Sequence, residues 1–309
     1  MNRFQRSWEL LKCSVSVVGR NRKLLLFPIL VTFLMGIISL LVIAPIALWH
    51  TGYGYMEAAH WQTVAHRWAA WDAGGKNLSV NPSGYALLAG IYLVSTFLAT
   101  FFNVAFYSQI LNALRGQPVS ISGGLRMAST RWKAIVAWSL FAGLVGLIIK
   151  GLEERVGIIG RWITRLIGLA WSVASVFVIP VIVIEEEGAN PVHFLKRSAI
   201  LLKQTWGESL LGYLGIQLGG LLVILGSVLV FAVSIFLSIF FKNFWFLGIG
   251  SVIWFLSLVF FMYLLNVASQ VYMGALYIYA ADGAIPAPFN PDQMNMAWKV
   301  KSGGSLARE

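Results

Sequence analysis

Charged residues are scarce in this chain: only 11% of its 309 residues are Asp, Glu, Lys or Arg. A soluble domain averages about 25% charged residues, so this composition excludes an ordinary soluble protein. Hydrophobic residues make up 58% of the chain, and its mean hydropathy is +0.76. Several uncharged stretches are long enough for a helix to cross a hydrocarbon core of about 30 Å. The composition therefore predicts an all-α protein that crosses a membrane several times.

Cysteine and histidine are also rare, which limits the metal sites that the chain could build. Cys13 is the single cysteine, so an intrachain disulfide and a thiolate metal cluster are both excluded. A zinc site favours two histidines at i and i+4 with a carboxylate nearby, whereas the spacing of His60 and His66 puts their rings on different helix faces. We interpret the histidines as interfacial polar residues and expect no metal and no cofactor.

Sequence motifs of catalysis are missing too. The chain has no GxGxxG, no Walker-type Gly-Lys-Ser/Thr and no nucleophile elbow. The acidic triplet 185–187 could hold a cation or form a paired-carboxylate site. It also precedes a helix amino terminus, where negative charge is stabilised by the helix dipole, so we favour structural ion pairing. The sequence predicts that the protein is not an enzyme.

Six apolar stretches follow one another along the chain, and we predict six transmembrane helices in three hairpins. They cover about residues 24–49, 85–114, 134–149, 162–184, 209–241 and 247–281. The polar insertion 51–83 is expected to form a short helix over 55–71 that lies flat on the membrane, because its tryptophans suit the interface. Residues 1–281 are predicted to be one transmembrane domain, and 282–309 a disordered cytoplasmic tail.

The basic residues indicate the topology. Most of the 23 lysines and arginines lie in 1–23, 115–133, 185–208 and 282–309, which face the same side if the number of spans is even. Cytoplasmic loops carry the excess of Lys and Arg, so both termini are predicted to be cytoplasmic. The net charge of +11 is explained by this distribution and by contact with anionic lipid, and we expect no nucleic acid partner.

Segment 190–208 has the pattern of a basic amphipathic helix on the membrane surface. Asn190 suits the N-cap and Pro191 the first helical position. The apolar face is predicted from residues at i, i+4, i+7 and i+11, which are Leu195, Ala199, Leu202 and Trp206. Together with two similar segments, it predicts lipid-headgroup contacts by Arg3, Arg6, Lys12, Arg126, Arg131, Lys133, Lys196, Arg197 and Lys203.

An internal repeat is the second hypothesis that this segment supports. RSWELLK at 6–12 matches RSAILLK at 197–203 at an offset of 191, and a weaker match occurs at an offset of 117. Each copy precedes a helical hairpin, which gives repeats over about 3–114, 120–184 and 190–281. Chance is the alternative for the amphipathic match, because any surface helix has this period. Copies that enter from the same side would be related by an axis along the membrane normal.

Polar residues within the spans are few, and no ionisable residue lies at a span centre. Two interpretations stay open for them: interhelical hydrogen bonds, or the lining of a solute or lipid pathway. Asn103 and Asn266 occupy matching repeat positions and could face a shared axis. The other candidates are Gln109, Gln217 and Gln270. Close helix packing is predicted at Gly212, Gly215, Gly219 and Gly220.

The sequence VIEEEGANPVHFLKRSAILLKQTWGE, together with the opening SWELLK…RKLLLFPIL, resembles a bacterial family of six-pass membrane proteins of unknown function. It is similar, more distantly, to the membrane domain associated with glycerophosphodiester phosphodiesterases. The resemblance implies a fold and a location in the bacterial inner membrane. It brings no catalytic residues, because the phosphodiesterase domain itself is absent from this sequence.

These observations predict a non-enzymatic membrane scaffold or accessory subunit. We expect it to contact anionic membrane lipids through its basic helices, and to assemble with itself or with another membrane protein. The alternative is a channel or facilitator for a small solute or lipid. An enzyme comes third, since no nucleophile, base or metal can be named.

Overall fold

The computed structural model of the protein describes residues 3–71, 78–185, 188–205 and 208–289. Within these ranges the chain forms eleven α-helices, a short 3-10 helix at Arg22–Leu25 and one two-stranded β-hairpin. The helices are α1 (Arg3–Arg20), α2 (Leu26–Ala47), α3 (Ala58–Trp68), α4 (Pro82–Leu114), α5 (Ile121–Thr130), α6 (Trp132–Arg155), α7 (Ile158–Ala174), α8 (Val178–Ile184), α9 (Pro191–Thr205), α10 (Glu208–Phe240) and α11 (Phe244–Asp282).

Five helical segments in the described part are long and apolar enough to cross a membrane, which confirms a helical, multi-pass membrane protein. They are Arg22–Ala47, Pro82–Leu114, Trp132–Arg155, Gly160–Ile184 and Phe244–Asp282. The apolar stretch described in α10, Ile224–Phe240, is shorter than the length that a span needs by this measure. A sixth span is therefore not confirmed and stays a prediction, as does the threefold repeat.

The span predicted over about 162–184 is interrupted. Helix α7 ends at Ala174, a turn occupies 175–177, and α8 begins at Val178. The hydropathy of the two pieces is continuous, so a single helix was expected from the sequence. The break is stabilised by a side chain of another helix, Ser198 of α9, which bonds to backbone groups on both sides of the turn.

The insertion between α2 and α4 differs from the helix predicted over 55–71. Helix α3 stops at Trp68, and the chain continues as strand β1 (Ala69–Trp71), which pairs antiparallel with β2 (Leu78–Val80). Residues 72–77, which connect the strands, lie outside the described residues. The hairpin returns the chain to Pro82, the first residue of α4.

Three helix ends show the capping groups that are typical of proteins, and the cap of α9 was predicted from the sequence. The Asn190 side-chain oxygen accepts hydrogen bonds from the backbone N–H groups of Val192 (3.0 Å) and His193 (3.4 Å), which confirms the start of α9. The Ser120 hydroxyl accepts from the Gly123 N–H at the start of α5. Helix α11 ends at Gly283, whose φ of 65° suits glycine.

The buried core lies at one end of the molecule, where α1, α5 and α9 meet the carboxyl-terminal ends of α4, α8 and α11. At this end Arg115, just after α4, lies 3.7 Å from Asp282 of α11, and Phe177, just before α8, contacts Tyr277 of α11. The buried residues of α4 and α11 lie mostly in their last three or four turns. We call this region the packed end.

The opposite halves of the spans are exposed to the surroundings. Their large apolar side chains belong to α2, the first half of α4, the later part of α6, α7, α10 and the first half of α11. Leu40 of α2 and Phe236 of α10, for example, are 65% and 64% exposed. We call this region the exposed end. Apolar surface of this kind suits a lipid environment, where it needs no protein cover.

Candidate functional site

Each of the helices α1, α5 and α9 at the packed end lies against the end of a span. Helix α5 packs on α4, which precedes it in the chain, and α9 packs on α8 in the same way. Helix α1 packs on α11 and α10, so the amino-terminal helix covers the last hairpin of the chain. Helix α9 also contacts α6 and α11, so α1 and α9 join spans that are distant in sequence.

The junction of α4 and α5 depends on Gln109, which is 2% exposed. Its side-chain oxygen accepts a hydrogen bond of 2.8 Å from the backbone N–H of Ser120, and its amide nitrogen donates to the Ser108 hydroxyl at 3.2 Å. Gln109 was a candidate for a pathway or an interhelical bond, and the structure places it in this packing role. The close approach continues at Gly124, where an added Cβ atom would lie 2.8 Å from the Ala105 carbonyl oxygen.

The junction of α8 and α9 depends on Ser198, whose side chain is fully buried. Its hydroxyl donates to the Ala174 carbonyl oxygen at 2.6 Å and accepts from the Phe177 N–H at 2.9 Å. Both backbone groups lie at the break between α7 and α8 and would otherwise be buried without this partner. Ser198 therefore replaces hydrogen bonds that a continuous helix would make.

The buried face of α9 is rotated by one residue from the predicted face. Phe194, Ser198 and Leu201 are at most 2% exposed. The predicted Leu202 is also buried, at 7% exposure, whereas the predicted Leu195 and Ala199 are only partly buried. The predicted face was chosen from apolar residues, so it did not include Ser198. The Ser in RSAILLK gave no signal of its bond to a broken helix, so sequence reasoning missed it. Trp206, the last predicted member of the face, lies outside the described residues.

A charged cluster closes the packed end beside this junction. The Glu185 carboxylate lies 2.7 Å from Arg197 Nε and 3.0 Å from His193 Nε2. The Glu185 and Arg197 side chains are 21% and 38% exposed, so water screens their attraction only in part. This geometry agrees with the structural ion pairing favoured for Glu185. Glu186 and Glu187 lie outside the described residues.

Two further polar links tie the spans together at this end. The Tyr107 hydroxyl of α4 donates to the Gln270 side-chain oxygen of α11 at 2.5 Å. The Tyr263 hydroxyl of α11 donates to the Leu25 carbonyl oxygen just before α2. Gln270, another candidate for a pathway, is thus placed in an interhelical hydrogen bond. The links hold α2, α4 and α11 as one group.

The predicted headgroup residues fall into three groups. Lys12, Arg126, Lys133, Lys196 and Lys203 are exposed. Arg131 is half-buried, and Arg197 is committed to Glu185. The side chains of Arg3 and Arg6 lie outside what the structure describes.

Two of the exposed lysines lie beside exposed tryptophans. The ammonium of Lys12 is 5.9 Å from the centroid of Trp8, and that of Lys133 is 5.9 Å from the centroid of Trp132. Trp8 and Trp132 are 43% and 53% exposed. A cation beside an aromatic ring is typical of a membrane interface, where the ring lies at headgroup depth.

Cys13 lies on the same helix as Lys12 and is half-buried. Burial, and then the negative charge of Glu9, raise the pKa of the Cys13 thiol above its ordinary value. The thiol is therefore protonated at neutral pH and a weak nucleophile.

The structure does not bring the remaining polar candidates of the spans, Asn103 and Asn266, into a common site. Asn103 and Asn266 are exposed, and neither side chain makes a hydrogen bond within the part of the chain that the structure describes. Gly220 packs on α11, since an added Cβ would lie 3.3 Å from Leu265. The structure does not describe the side chain of Gln217. It also does not describe the surroundings of the other predicted packing residues, Gly212, Gly215 and Gly219.

Beyond the far end of α2, His60 of α3 is fully buried. Its Nε2 lies 2.8 Å from the Ala47 carbonyl oxygen, and its Nδ1 lies 2.7 Å from the Thr51 hydroxyl. The Ala47 carbonyl can only accept, so Nε2 carries a proton. His60 thus caps the end of α2. Among the described residues no group of three metal-ligating side chains comes together.

A cavity of about 260 Å³ lies next to this cap, and the Arg67 side chain is among the residues that line it. The Arg67 guanidinium carbon is 4.1 Å from the centroid of the Trp49 ring. A second cavity of about 430 Å³ opens between α2 and the first half of α4. Sequence reasoning noted the tryptophans of this region but gave Arg67 no role.

Taken together, the fold and these contacts define a multi-pass helical membrane protein whose polar groups mainly join helices. The chain matches a family of unknown function, DUF6159, over residues 82–286, which is more than half of its length. The protein belongs to this family. No curated protein and no solved structure matches the chain. The more distant similarity to the membrane domain of glycerophosphodiester phosphodiesterases is not supported by any of these comparisons.

Proposed function

We propose that this protein is a non-enzymatic membrane scaffold or accessory subunit. Its packed end contacts anionic lipid, and the apolar faces of its spans assemble with a second copy or with another membrane protein. The observation that carries the proposal is the use of polar groups at the packed end. Gln109, Ser198 and Glu185 all bond to neighbouring helices, so their chemistry is structural.

The exposed cations supply the lipid contact. Lys12, Lys196 and Lys203 lie on the outer faces of α1 and α9, and Lys133 lies at the start of α6 beside Trp132. Each Lys or Arg near an anionic surface contributes about 1 kcal/mol of attraction. Because these helices also carry the packing of the spans, lipid contact and fold stability are linked in one layer.

The topology of the proposal has six spans and both termini on the cytoplasmic side of a bacterial inner membrane. It is supported by the common position of α1, α5 and α9 at the packed end, together with their cations. With α10 as the sixth span, the three hairpins α2–α4, α6–α8 and α10–α11 would each start from this side. Excess Lys and Arg mark the cytoplasmic side.

The threefold repeat receives support from equivalent small residues. Positions 7, 124 and 198 are related by the offsets 117 and 191, and they are Ser, Gly and Ser. Gly124 lies against the Ala105 carbonyl of the preceding span, and Ser198 bonds to the Ala174 carbonyl of the preceding span. We therefore propose that each repeat uses a small residue to bring its amphipathic helix against the backbone of the neighbouring hairpin.

The lipid contact is tested with Lys12→Gln, Lys196→Gln and Lys203→Gln combined. The purified protein is titrated with phosphatidylglycerol and with phosphatidylcholine, and bound lipid is counted by native mass spectrometry. Removing three cations should lower the apparent phosphatidylglycerol affinity roughly 100-fold, from about 1 kcal/mol per cation. Phosphatidylcholine binding should stay the same. The mass of the assembly in the same spectra reports self-association.

The matched control removes three cations from the other end: Lys150→Gln, Arg155→Gln and Lys242→Gln, all exposed. This control should retain the phosphatidylglycerol affinity of the packed end. An equal loss in both triple variants would show that total charge, and not the packed end, attracts the lipid. A single-chain mass under all lipid conditions would contradict self-assembly and leave another membrane protein as the proposed partner.

A channel or facilitator is the alternative function. The exposure of Asn103 and Asn266 favours it only if a second chain encloses them, because each lies on an open helix face. Solute flux into reconstituted vesicles tests it with Asn103→Leu and Asn266→Leu combined. The scaffold proposal predicts unchanged flux, and a clear loss of flux in the double variant would favour the alternative.

A further inference from the structure

Two cavities lie along the same face of α2. The larger one, about 430 Å³, is lined on the α2 side by Met35, Ile38 and Val42, among others. The smaller one, about 260 Å³, is lined by Pro45 and Trp49. Met35, Ile38, Val42 and Pro45 follow one another at spacings of three, four and three, which keeps them on one face of α2, and Trp49 follows just after the end of the helix. The two cavities are therefore neighbours along one stripe.

The chemistry of the two cavities differs. The larger one is apolar, with only the hydroxyls of Ser39 and Ser95 among its lining residues. The smaller one contains the Arg67 guanidinium over the Trp49 ring, together with the hydroxyls of Thr51 and Thr63. Arg67 has no carboxylate partner within the described part of the chain. Along this face of α2, the lining therefore changes from apolar side chains at the larger cavity to the Arg67 guanidinium at the smaller one.

The depth of this cation in the membrane follows from the length of α2. Helix α2 has 22 residues and spans about 33 Å, enough to cross a core of about 30 Å. Its end at Ala47 then lies at the membrane–water interface, and Trp49, Trp61 and Trp68 match the aromatic belt found there. Arg67 therefore lies at headgroup depth.

The apolar crevice has the length of an acyl chain within one leaflet. It runs along α2 from Met35 to Ile43, a rise of about 12 Å, against about 15 Å for half of the core. Its volume falls within the range of pockets that hold small molecules, about 300–1,000 Å³. A soluble anion could use Arg67 alone, but it would leave this apolar volume unexplained.

The position of Arg67 is fixed by its neighbours. The Asn81 side-chain amide donates to the Arg67 carbonyl oxygen at 3.0 Å, and the Asn81 N–H donates to the Trp68 carbonyl oxygen at 2.8 Å. Gly84 of α4 approaches the same Trp68 carbonyl so closely that an added Cβ would lie 2.5 Å from it. Together with the His60 cap, these contacts hold α3 against α2 and α4.

We propose that the crevice between α2 and α4 binds one anionic phospholipid, with an acyl chain between the helices and the phosphate at Arg67. The site lies at the end opposite to α1, α5 and α9, so it is independent of the lipid contact of the packed end. Thr51 and Thr63 line the same cavity, and their hydroxyls are bonded to His60 and to the Ala59 carbonyl oxygen.

The test uses two variants that change different parts of the site. Arg67→Gln removes the cation and should lower the retention of phosphatidylglycerol at least about tenfold, because a hydrogen bond to a charged group is lost. Phosphatidylcholine retention should hardly change. Gly90→Leu fills the crevice, since an added Cβ at Gly90 meets nothing within 4 Å, and it should reduce the retention of both lipids.

Each variant has a matched control. Arg67→Lys keeps the charge and should keep the preference for phosphatidylglycerol. Gly226→Leu on α10 also points into open space and should change nothing. Native mass spectrometry after detergent washing counts one retained lipid per chain in the unaltered protein. The combined Lys12, Lys196 and Lys203 variant should keep this one lipid.

Three results would overturn the proposal. Equal phosphatidylglycerol retention in Arg67→Gln and the unaltered protein would exclude a headgroup at this cation. Unchanged retention in Gly90→Leu would exclude an acyl chain in the crevice, even if Arg67→Gln failed to fold. Displacement of the lipid by millimolar inorganic phosphate would show a site for a free anion.

Discussion

The two halves of α4 carry side chains of the same kind in opposite surroundings. Leu111, near its carboxyl end, is 1% exposed, whereas Leu88, near its amino end, is 56% exposed. Helix α11 shows the same contrast, because Leu276 is 1% exposed and Leu256 is 60% exposed. Hydropathy alone does not distinguish the packed end from the exposed end.

What differs between the two ends is the set of polar and small residues. The packed end contains Gln109, Ser198 and the Glu185–Arg197 pair, and Gly124 allows α5 to approach the backbone of α4. In lipid no hydrophobic effect drives helices together, so helix association depends on van der Waals contact at close approach and on hydrogen bonds. We infer that these few residues decide where the spans pack.

The largest effect that tests this contrast comes from two identical changes in one helix. Leu111→Ala should lower the free energy of unfolding by about 3 kcal/mol, because it leaves a cavity in the core. Leu88→Ala removes a side chain that faces the surroundings, and the loss should stay below about 0.5 kcal/mol. Unfolding by sodium dodecyl sulfate in mixed micelles measures both. Equal losses would mean that the exposed end is covered in the native assembly.

Ser198→Ala should have the next largest effect, about 2–3 kcal/mol. It leaves the Ala174 carbonyl and the Phe177 N–H without their partner in a buried position, and an unsatisfied buried group costs about 1–3 kcal/mol. The control is Ser172→Ala, since the exposed Ser172 hydroxyl bonds only to Gly168 of its own helix. An equal loss of unfolding free energy in Ser172→Ala would show that the hydrogen bonds of Ser198 at the α7–α8 break contribute no more than an ordinary helix hydroxyl.

The sequence predicted the helical, multi-pass architecture because long apolar stretches can satisfy their backbone groups only as helices. It also predicted the start of α9, since Asn190 and Pro191 act within one turn of the chain. It did not predict the break at 175–177. That break depends on Ser198, more than 20 residues away, and no local pattern reports a partner at that distance.

The candidate site was predicted less well than the fold. Gln109 and Gln270 were named as polar residues of interest, but their packing roles follow from contacts with Ser120 and Tyr107. Arg67 was given no role because its importance depends on a cavity formed by α2 and α3. Spacing predicts which residues share a helix face, and it does not predict which helix meets that face.

Gly124→Ala should destabilise the packed end by about 2 kcal/mol. The added Cβ would lie 2.8 Å from the Ala105 carbonyl oxygen and 3.0 Å from the Phe27 ring, so the backbone has to move. Gly151→Ala on α6 is the control, because nothing lies within 4 Å of an added Cβ there. The same unfolding titration should show no loss for the control. Tolerance of Ala at both positions would contradict a close α4–α5 contact.

The smallest effect is expected from the ion pairs. Their comparison distinguishes a partly buried pair from an exposed one. A double-mutant cycle of Glu185→Gln and Arg197→Gln should give a coupling of about 1 kcal/mol, because the pair is close and partly shielded from water. The same cycle for Arg115 and Asp282, which are 3.7 Å apart with side chains 40% and 52% exposed, should give a coupling below about 0.5 kcal/mol. The first coupling should persist in 0.5 M salt, whereas the second should vanish, since salt screens exposed charges more strongly. If the two couplings were equal and equally sensitive to salt, Glu185 and Arg197 would behave as an ordinary surface pair, and the packed end would depend on its hydrogen bonds and close contacts alone.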